Sequence, residues 1–249
     1  MPGSLDSPIR NARFVTTHWS MVRAAAGNQG SALQGSRQAL ETLCKQYWYP
    51  LYAHIRRRCR DAERAYDLTQ EFFTRLLDKE YLKAADDRQG RFRTFLLTAV
   101  NNFLANEHDK EMAQKRGGGQ KIVSIDFQDA EDRFAVEPID SSTPESIFEK
   151  RWALTLLERV LEQLRGEYQS PDKLELFVHL QPNLPQGSGP VSYRQLSERL
   201  RMSESAVKVA LHRMRRRFGL LLRREIAHTV DKPNEIDNEI HSLFTALSR

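Results

Sequence analysis

The sequence predicts an all-α fold, with two small helical bundles joined by an acidic linker and a helix-turn-helix in the second bundle. Apolar residues recur every three or four positions through most of the chain, which is the period of an amphipathic helix. Between 124 and 149, eight acidic residues and one arginine give a net charge of −7, and this stretch separates two basic halves. Of the 249 residues 40% are hydrophobic, which is enough to bury one large core or two small ones.

The chain is predicted to divide into five segments. Residues 1–15 lack periodicity and are expected to form a disordered tail. A first helical bundle is expected over 16–116, followed by the acidic linker over 117–142, with at most a short extended piece. A second bundle with the helix-turn-helix is expected over 143–224, and a C-terminal helical extension over 225–249.

The first bundle is predicted to contain three longer helices. The first begins near Ser36 and should kink or break at Pro50, because proline cannot donate the helical hydrogen bond. The second follows Asp61, and the third lies between Gly90 and the glycines at 117–119.

Two helices of this bundle carry polar residues that packing does not require. The second has an acidic and amide face opposite its apolar stripe, a pattern that usually belongs to a solvated surface. The third has three asparagines within six positions, which weaken a helix unless their amides make a contact, and asparagine can bind base edges. The two sets are Asp67, Gln70, Glu71 and Thr74, and Asn101, Asn102 and Asn106.

The second bundle has clear helix starts. Thr143 and Pro144 begin one helix and Ser170 begins another, before a loop rich in proline and glycine. Ser192 and Ser203 then cap two helices that are separated only by a two-residue turn, the spacing of a helix-turn-helix.

The last of these helices presents a polar, basic face. Its opposite stripe is apolar, so one face packs and the other can contact a ligand. From 192 to 224 the chain has ten Lys or Arg and two Glu, a net charge of +8, so phosphate is the expected partner. The outward face consists of Ser205, Lys208, Val209, His212, Arg213 and Arg216.

The C-terminal extension is predicted to end in an amphipathic helix. Its apolar stripe is expected to pack back on its own chain, and docking on a separate partner is the alternative. The stripe consists of Ile236, Ile240, Leu243, Phe244 and Leu247.

No pattern in the chain predicts catalysis, a cofactor or a metal site. Nucleotide-binding glycine loops, zinc-protease and nucleophile-elbow motifs are absent, and the seven histidines lack ligand spacing. Cys44 and Cys59 are expected to be reduced structural thiols. No run of about 18 apolar residues predicts membrane insertion, so we expect a cytoplasmic binding protein and not an enzyme.

Taken in order, three motifs resemble the sigma-70 family of RNA polymerase sigma factors, in its extracytoplasmic-function (ECF) group. They are DLTQEFFTRLL, GRFRTFLLTAVNNFLANEHDK and the Val-Lys, His-Arg pattern of YRQLSERLRMSESAVKVALHRMRRRF. The resemblance covers roughly 36–116 and 145–224. It implies a bacterial transcription initiation factor that binds core RNA polymerase, directs it to minus-10 and minus-35 promoter elements, and assists strand opening without nucleotide hydrolysis.

The resemblance also implies roles for the polar faces. The basic face of the second helix of the helix-turn-helix, from Ser205 to Arg216, would enter the major groove at the minus-35 element. The face from Asp67 to Thr74 would dock on core polymerase. The minus-10 element would be held by Asn101, Asn102, Asn106, Lys110, Lys115 and Arg116.

The chain departs from the family pattern at two places. Arg201 stands where the family's turn usually has glycine, and a left-handed backbone there would cost on the order of 1 kcal/mol. Arg64 and Tyr66 replace carboxylates that commonly precede the polymerase-binding core. Phosphorylation of the nearby Thr69 would restore about the lost charge, so Thr69 is a candidate phosphorylation site.

The sequence leaves other partners and functions open. An anti-sigma factor or a Ser/Thr kinase is a candidate regulator. One alternative function is a homodimeric helix-turn-helix regulator that acts without binding core polymerase. Another is an interaction protein that occupies polymerase or an anti-sigma partner without reading promoters.

Overall fold

A computed structural model describes residues 33–59, 61–76, 91–113, 130–134, 143–185, 189, 191–230 and 232–248. All regular structure in these residues is helical, which confirms the all-α fold class. The helices are α1 (Leu33–Arg58), α2 (Ala62–Leu76), α3 (Phe92–Ala113), α4 (Pro144–Gly166), α5 (Pro171–Leu180), α6 (Tyr193–Leu200), α7 (Glu204–Ala227) and α8 (Ile236–Leu247). The predicted tail and most of the predicted linker lie outside the described residues.

Helix α4 is the centre of the fold. It packs against α1, α7 and α8, and its inward side chains belong to one continuous core that reaches from Tyr47 of α1 to Leu243 of α8. Trp152 of α4 is 0% exposed and lies within this core. The described parts of both predicted bundles therefore meet through α4, and the division into two domains stays a prediction.

Local signals set the helix starts. The Thr143 hydroxyl accepts a hydrogen bond from the Ser146 backbone N–H at 3.2 Å, with Pro144 in the first turn. Ser192 and Ser203 make the same contact with Gln195 and Ala206, at 3.3 and 3.2 Å. Helix α1 continues through Pro50 without a break, and the residues that follow the proline are buried in the core; the alternative of a kink stays a prediction.

Residues 130–134 are helical and docked on α1, where the sequence predicts linker. Glu131 accepts a hydrogen bond from Arg56 Nε at 2.8 Å and another from the Tyr52 hydroxyl. The Arg133 guanidinium lies 4.0 Å from the centre of the Tyr49 ring. The acidic segment is thus anchored by the basic end of α1, a long-range contact that periodicity does not reveal.

The turn between α6 and α7 is strained at Arg201. Its backbone is left-handed, with φ 52° and ψ 40°. This conformation brings the Cβ of an L-residue close to the carbonyl oxygen and is normally taken by glycine. The left-handed backbone that the resemblance implied for this turn is therefore present, and here a non-glycine residue adopts it.

Replacing Arg201 by glycine should stabilise the protein by about 0.5–1 kcal/mol, because glycine adopts this backbone without the steric penalty. The side chain is exposed, so little packing is lost. The free energy of unfolding in urea measures the change. Arg199→Gly is the control: it lies within α6 and should destabilise by about 1 kcal/mol. A destabilised Arg201→Gly variant would contradict the assignment of strain.

Among the described helices, none is sufficiently long and apolar to cross a membrane.

Candidate nucleic-acid interface

Helix α7 is held by one face and exposes the other. Val207, Leu211 and Met214 are buried in the core beside Leu196 of α6. All six residues of the predicted DNA-binding face are exposed on the opposite side: Ser205, Lys208, Val209, His212, Arg213 and Arg216. Their amphipathic spacing therefore places them together on one surface, and their contact with DNA stays a prediction.

The exposed face combines charge, hydroxyl and apolar groups. The Lys208 ammonium lies 5.3 Å from the centre of the Tyr193 ring, which supports the long side chain at the start of the face. Val209 is 49% exposed, so its methyl groups are accessible on this face, and a thymine methyl group is the kind of apolar group they could contact. The Ser205 hydroxyl shares a hydrogen bond with the capping hydroxyl of Ser203 at 3.0 Å.

Other arginines of α7 form hydrogen bonds with residues outside this helix. Arg215 donates to the Asn183 carbonyl oxygen at 3.0 Å, and Arg224 donates to Gln163 Oε1 at 2.7 Å. Arg217 binds both carboxylate oxygens of Glu167, and this hydrogen bonding lowers the pKa of Glu167. Some basic residues of α7 therefore lie on the outward face, and others bind residues elsewhere in the same chain.

The asparagine cluster of α3 is divided in the same way. Asn101 Oδ1 accepts a hydrogen bond from Arg58 at 2.7 Å and lies 2.9 Å from Nε2 of the buried His54. Burial lowers the pKa of His54, which favours a neutral ring. Asn101 therefore ties α3 to α1, whereas Asn102 and Asn106 are exposed.

The basic part of the predicted minus-10 surface is only partly described. Lys110 is exposed and donates to Glu107 at 2.8 Å. Lys115 and Arg116 lie outside the described residues.

The predicted polymerase face of α2 is accessible and connected to α3. Asp67, Gln70 and Thr74 are exposed, and the half-buried Glu71 accepts a hydrogen bond from Arg75. Arg75 also donates to Glu107 of α3 at 2.8 Å. Hydrogen bonds from Lys110 and Arg75 hold the pKa of Glu107 below its usual range. A chain of ion pairs thus links the predicted polymerase face to the predicted minus-10 helix.

Thr69, the candidate phosphorylation site, is 0% exposed. Its hydroxyl donates to the Ala65 carbonyl oxygen at 2.7 Å within α2. A kinase could reach this hydroxyl only if α2 moved away from the core, so phosphorylation of Thr69 stays a prediction that requires local opening.

The sequence analysis missed a buried charge cluster between α3, α4 and α8. Arg93 is 4% exposed, donates to Glu239 at 2.7 and 3.1 Å, pairs with Glu149, and lies 4.6 Å from the centre of the Trp152 ring. Glu239 is 0% exposed. One signal was available: Glu239 falls three residues after Ile236, on the apolar stripe of its own helix.

Within the described residues, no three His, Cys, Asp or Glu side chains are grouped so that they could hold a metal ion.

Comparison with known proteins gives one match. A family model described as ECF sigma factor matches residues 31–224, which is most of the chain. No curated protein and no solved structure matches. The matched range ends at Arg224, so α8 lies beyond it.

Proposed function

The chain belongs to the ECF sigma factor family, and from that premise we propose that it directs core RNA polymerase to promoters with minus-10 and minus-35 elements. The family supports a role in transcription initiation. The observation that carries promoter recognition is the exposed basic face of α7, opposite a fully packed face. We propose that the protein acts in the cytoplasm with promoter DNA and polymerase, and performs no bond chemistry.

At the minus-35 element, α7 would lie in the major groove. Arginine can bind guanine through two hydrogen bonds, and each such contact contributes about 1–3 kcal/mol of discrimination against the wrong base. Arg213 and Arg216 suit this role, because neither has an acidic partner within the described part of the chain. Lys208 and Ser205 would contact phosphate or base edges near the start of the helix.

At the minus-10 element, α3 would bind separated bases. The exposed amides of Asn102 and Asn106 can hydrogen-bond bases that have left the duplex, and Lys110 can bind phosphate. Strand separation would then draw on binding energy delivered together with polymerase and not on nucleotide hydrolysis.

Reversing charge on the α2 face should weaken binding to core polymerase. The double variant Asp67→Lys, Gln70→Lys changes exposed residues only, so the fold should be retained. We expect at least about tenfold weaker binding, because like charges facing each other across an interface cost several kcal/mol. Affinity for purified core polymerase measures the effect. The control is Asp172→Lys, an exposed acid on α5, which should bind as the wild type does. Equal affinity for all three proteins would contradict the proposed face.

A homodimeric regulator that acts without polymerase is the second candidate. The capped helix pair α6 and α7 favours it as much as it favours a sigma factor, since either protein would insert α7 in a major groove. Such a regulator would bind a palindrome with half-sites about one helical turn apart in the absence of polymerase.

The decisive test is reconstitution with core polymerase on fragments of genomic DNA, followed by sequencing of the initiated transcripts. Transcripts that share upstream elements and require the protein are expected. If no fragment yields a protein-dependent transcript, the proposed function fails. Co-purification from cells would also show whether an anti-sigma factor or a Ser/Thr kinase accompanies the protein.

A further inference from the structure

The C-terminal helix α8 joins parts of the protein that would have to separate on a promoter. We call α1 to α3 the first half and α4 to α8 the second half. Helix α8 packs on α4 and α7 of the second half, and its Asp237 pairs with Arg223 of α7. On its inward side it reaches the first half through Glu239, which binds both Arg91 and Arg93.

Glu239 and Arg93 are buried at the centre of this contact, and Arg91 lies at its partly exposed edge. Glu239 accepts hydrogen bonds from Arg93 at 2.7 and 3.1 Å, and Arg91 Nε lies 2.8 Å from the same carboxylate. Arg91 also donates to the Ser242 hydroxyl at 3.0 Å. Leu243, one turn further along α8, is fully buried. Both arginines stand at the start of α3, the helix with the predicted minus-10 residues.

The closed arrangement cannot span two promoter elements. Centres near positions −10 and −35 are about 25 base pairs apart, or about 85 Å at about 3.4 Å per base pair. A compact chain of this length has a radius of gyration of about 18 Å. Because α4 contacts both α1 and α7, the two predicted DNA-binding surfaces are held in one body that is too small for this span.

We propose that α8 is an intramolecular clamp, with Glu239 as its key residue, which adds to the apolar α1–α4 contact in holding the two halves closed and must release before both promoter elements are bound. This inference rests on the proposed function. The α1–α4 contact between the halves is apolar, and α8 adds to it a buried ion cluster whose charges regain hydration on opening. Closure also pairs Glu239 with two arginines at the start of the helix that carries the predicted minus-10 residues.

The test measures the distance between the halves in the full-length protein. Fluorophores are attached through Thr98→Cys on α3 and Glu175→Cys on α5, both exposed positions, in a chain with Cys44→Ser and Cys59→Ser. Single-molecule energy transfer then compares unsubstituted Glu239, Glu239→Gln and Glu239→Lys. The control is Asp237→Asn, which removes a carboxylate from the same helix but affects a pair within the second half.

We expect the long-distance population to rise at least about tenfold in Glu239→Lys and less in Glu239→Gln, with Asp237→Asn unchanged. Far-ultraviolet circular dichroism verifies the helical fold. If Glu239→Lys unfolds, the distances in Glu239→Gln, which keeps the side-chain shape, test the clamp. Unchanged distances in a folded Glu239 variant would overturn the clamp.

Transcription with limiting core polymerase separates this proposal from the proposed function. We expect the Glu239 variants to give more promoter-dependent transcript than the wild type. Longer distances with no transcript from any protein would support the clamp and reject the sigma-factor function. Transcripts from all proteins with unchanged distances would reject the clamp alone.

Discussion

Replacing Trp152 by alanine is expected to destabilise the protein by about 3–5 kcal/mol, which is a large part of the net stability of a typical domain. The indole is 0% exposed, sits on the helix that contacts α1, α7 and α8, and supports the Arg93 guanidinium. Its loss would leave a cavity at the meeting point of both halves. Chemical denaturation followed by far-ultraviolet circular dichroism measures the change.

Two matched variants test whether the loss of stability depends on the volume and burial of the side chain that is removed. Trp152→Phe keeps most of the apolar volume and should cost clearly less than Trp152→Ala. Val178→Ala on α5 removes a side chain that is largely exposed and should change the free energy of unfolding by about 0.5 kcal/mol or less. A loss below about 1 kcal/mol for Trp152→Ala would contradict the central position of α4.

Neutralising the α7 face should abolish most minus-35 recognition. We expect the triple variant Lys208→Ala, Arg213→Ala, Arg216→Ala to bind promoter duplex at least about 100-fold more weakly in complex with polymerase, because base and phosphate contacts are lost together. The dependence of log affinity on log salt concentration should become shallower by about 0.9, the value for the one phosphate contact assigned to Lys208, since Arg213 and Arg216 are proposed to bind guanine. Fluorescence anisotropy over a salt series measures both quantities.

The control for this variant lies on the same helix. Arg215→Ala and Arg217→Ala remove arginines that are also exposed but bind Asn183 and Glu167 of the protein itself. They should keep the promoter affinity and the salt dependence of the wild type. Equal losses in both sets would mean that net charge, and not the outward face, determines binding.

Local features of the fold were predictable from the sequence. The helix starts at Thr143, Ser192 and Ser203 depend on a serine or threonine that caps the amides two or three residues ahead, so a short window contains the whole interaction. The outward face of α7 follows from helical periodicity alone. The strain at Arg201 was expected from the resemblance, because the family's turn usually has glycine at this position.

Contacts between distant residues were not predictable in the same way. Glu239 and Arg93 are separated by 146 positions, and only the packing of α8 against α4 brings their charges together. Asn101 looked like a base-reading amide, but its partner Arg58 comes from another helix. Intrinsic helix propensity cannot distinguish a side chain that makes an intramolecular hydrogen bond from one that is available to bind a ligand.

The maximum length of the connection between the halves depends on whether segment 130–134 is bound to α1 or released from it. While Glu131 is held by Arg56, only nine peptide links separate residue 134 from residue 143, and they can extend to about 30 Å. When this segment leaves α1, thirty links separate residue 113 from residue 143, and the limit becomes about 100 Å. Only the longer connection exceeds the separation of two promoter elements, so the contacts that Glu131 and Arg133 make with α1 limit how far the second half can move.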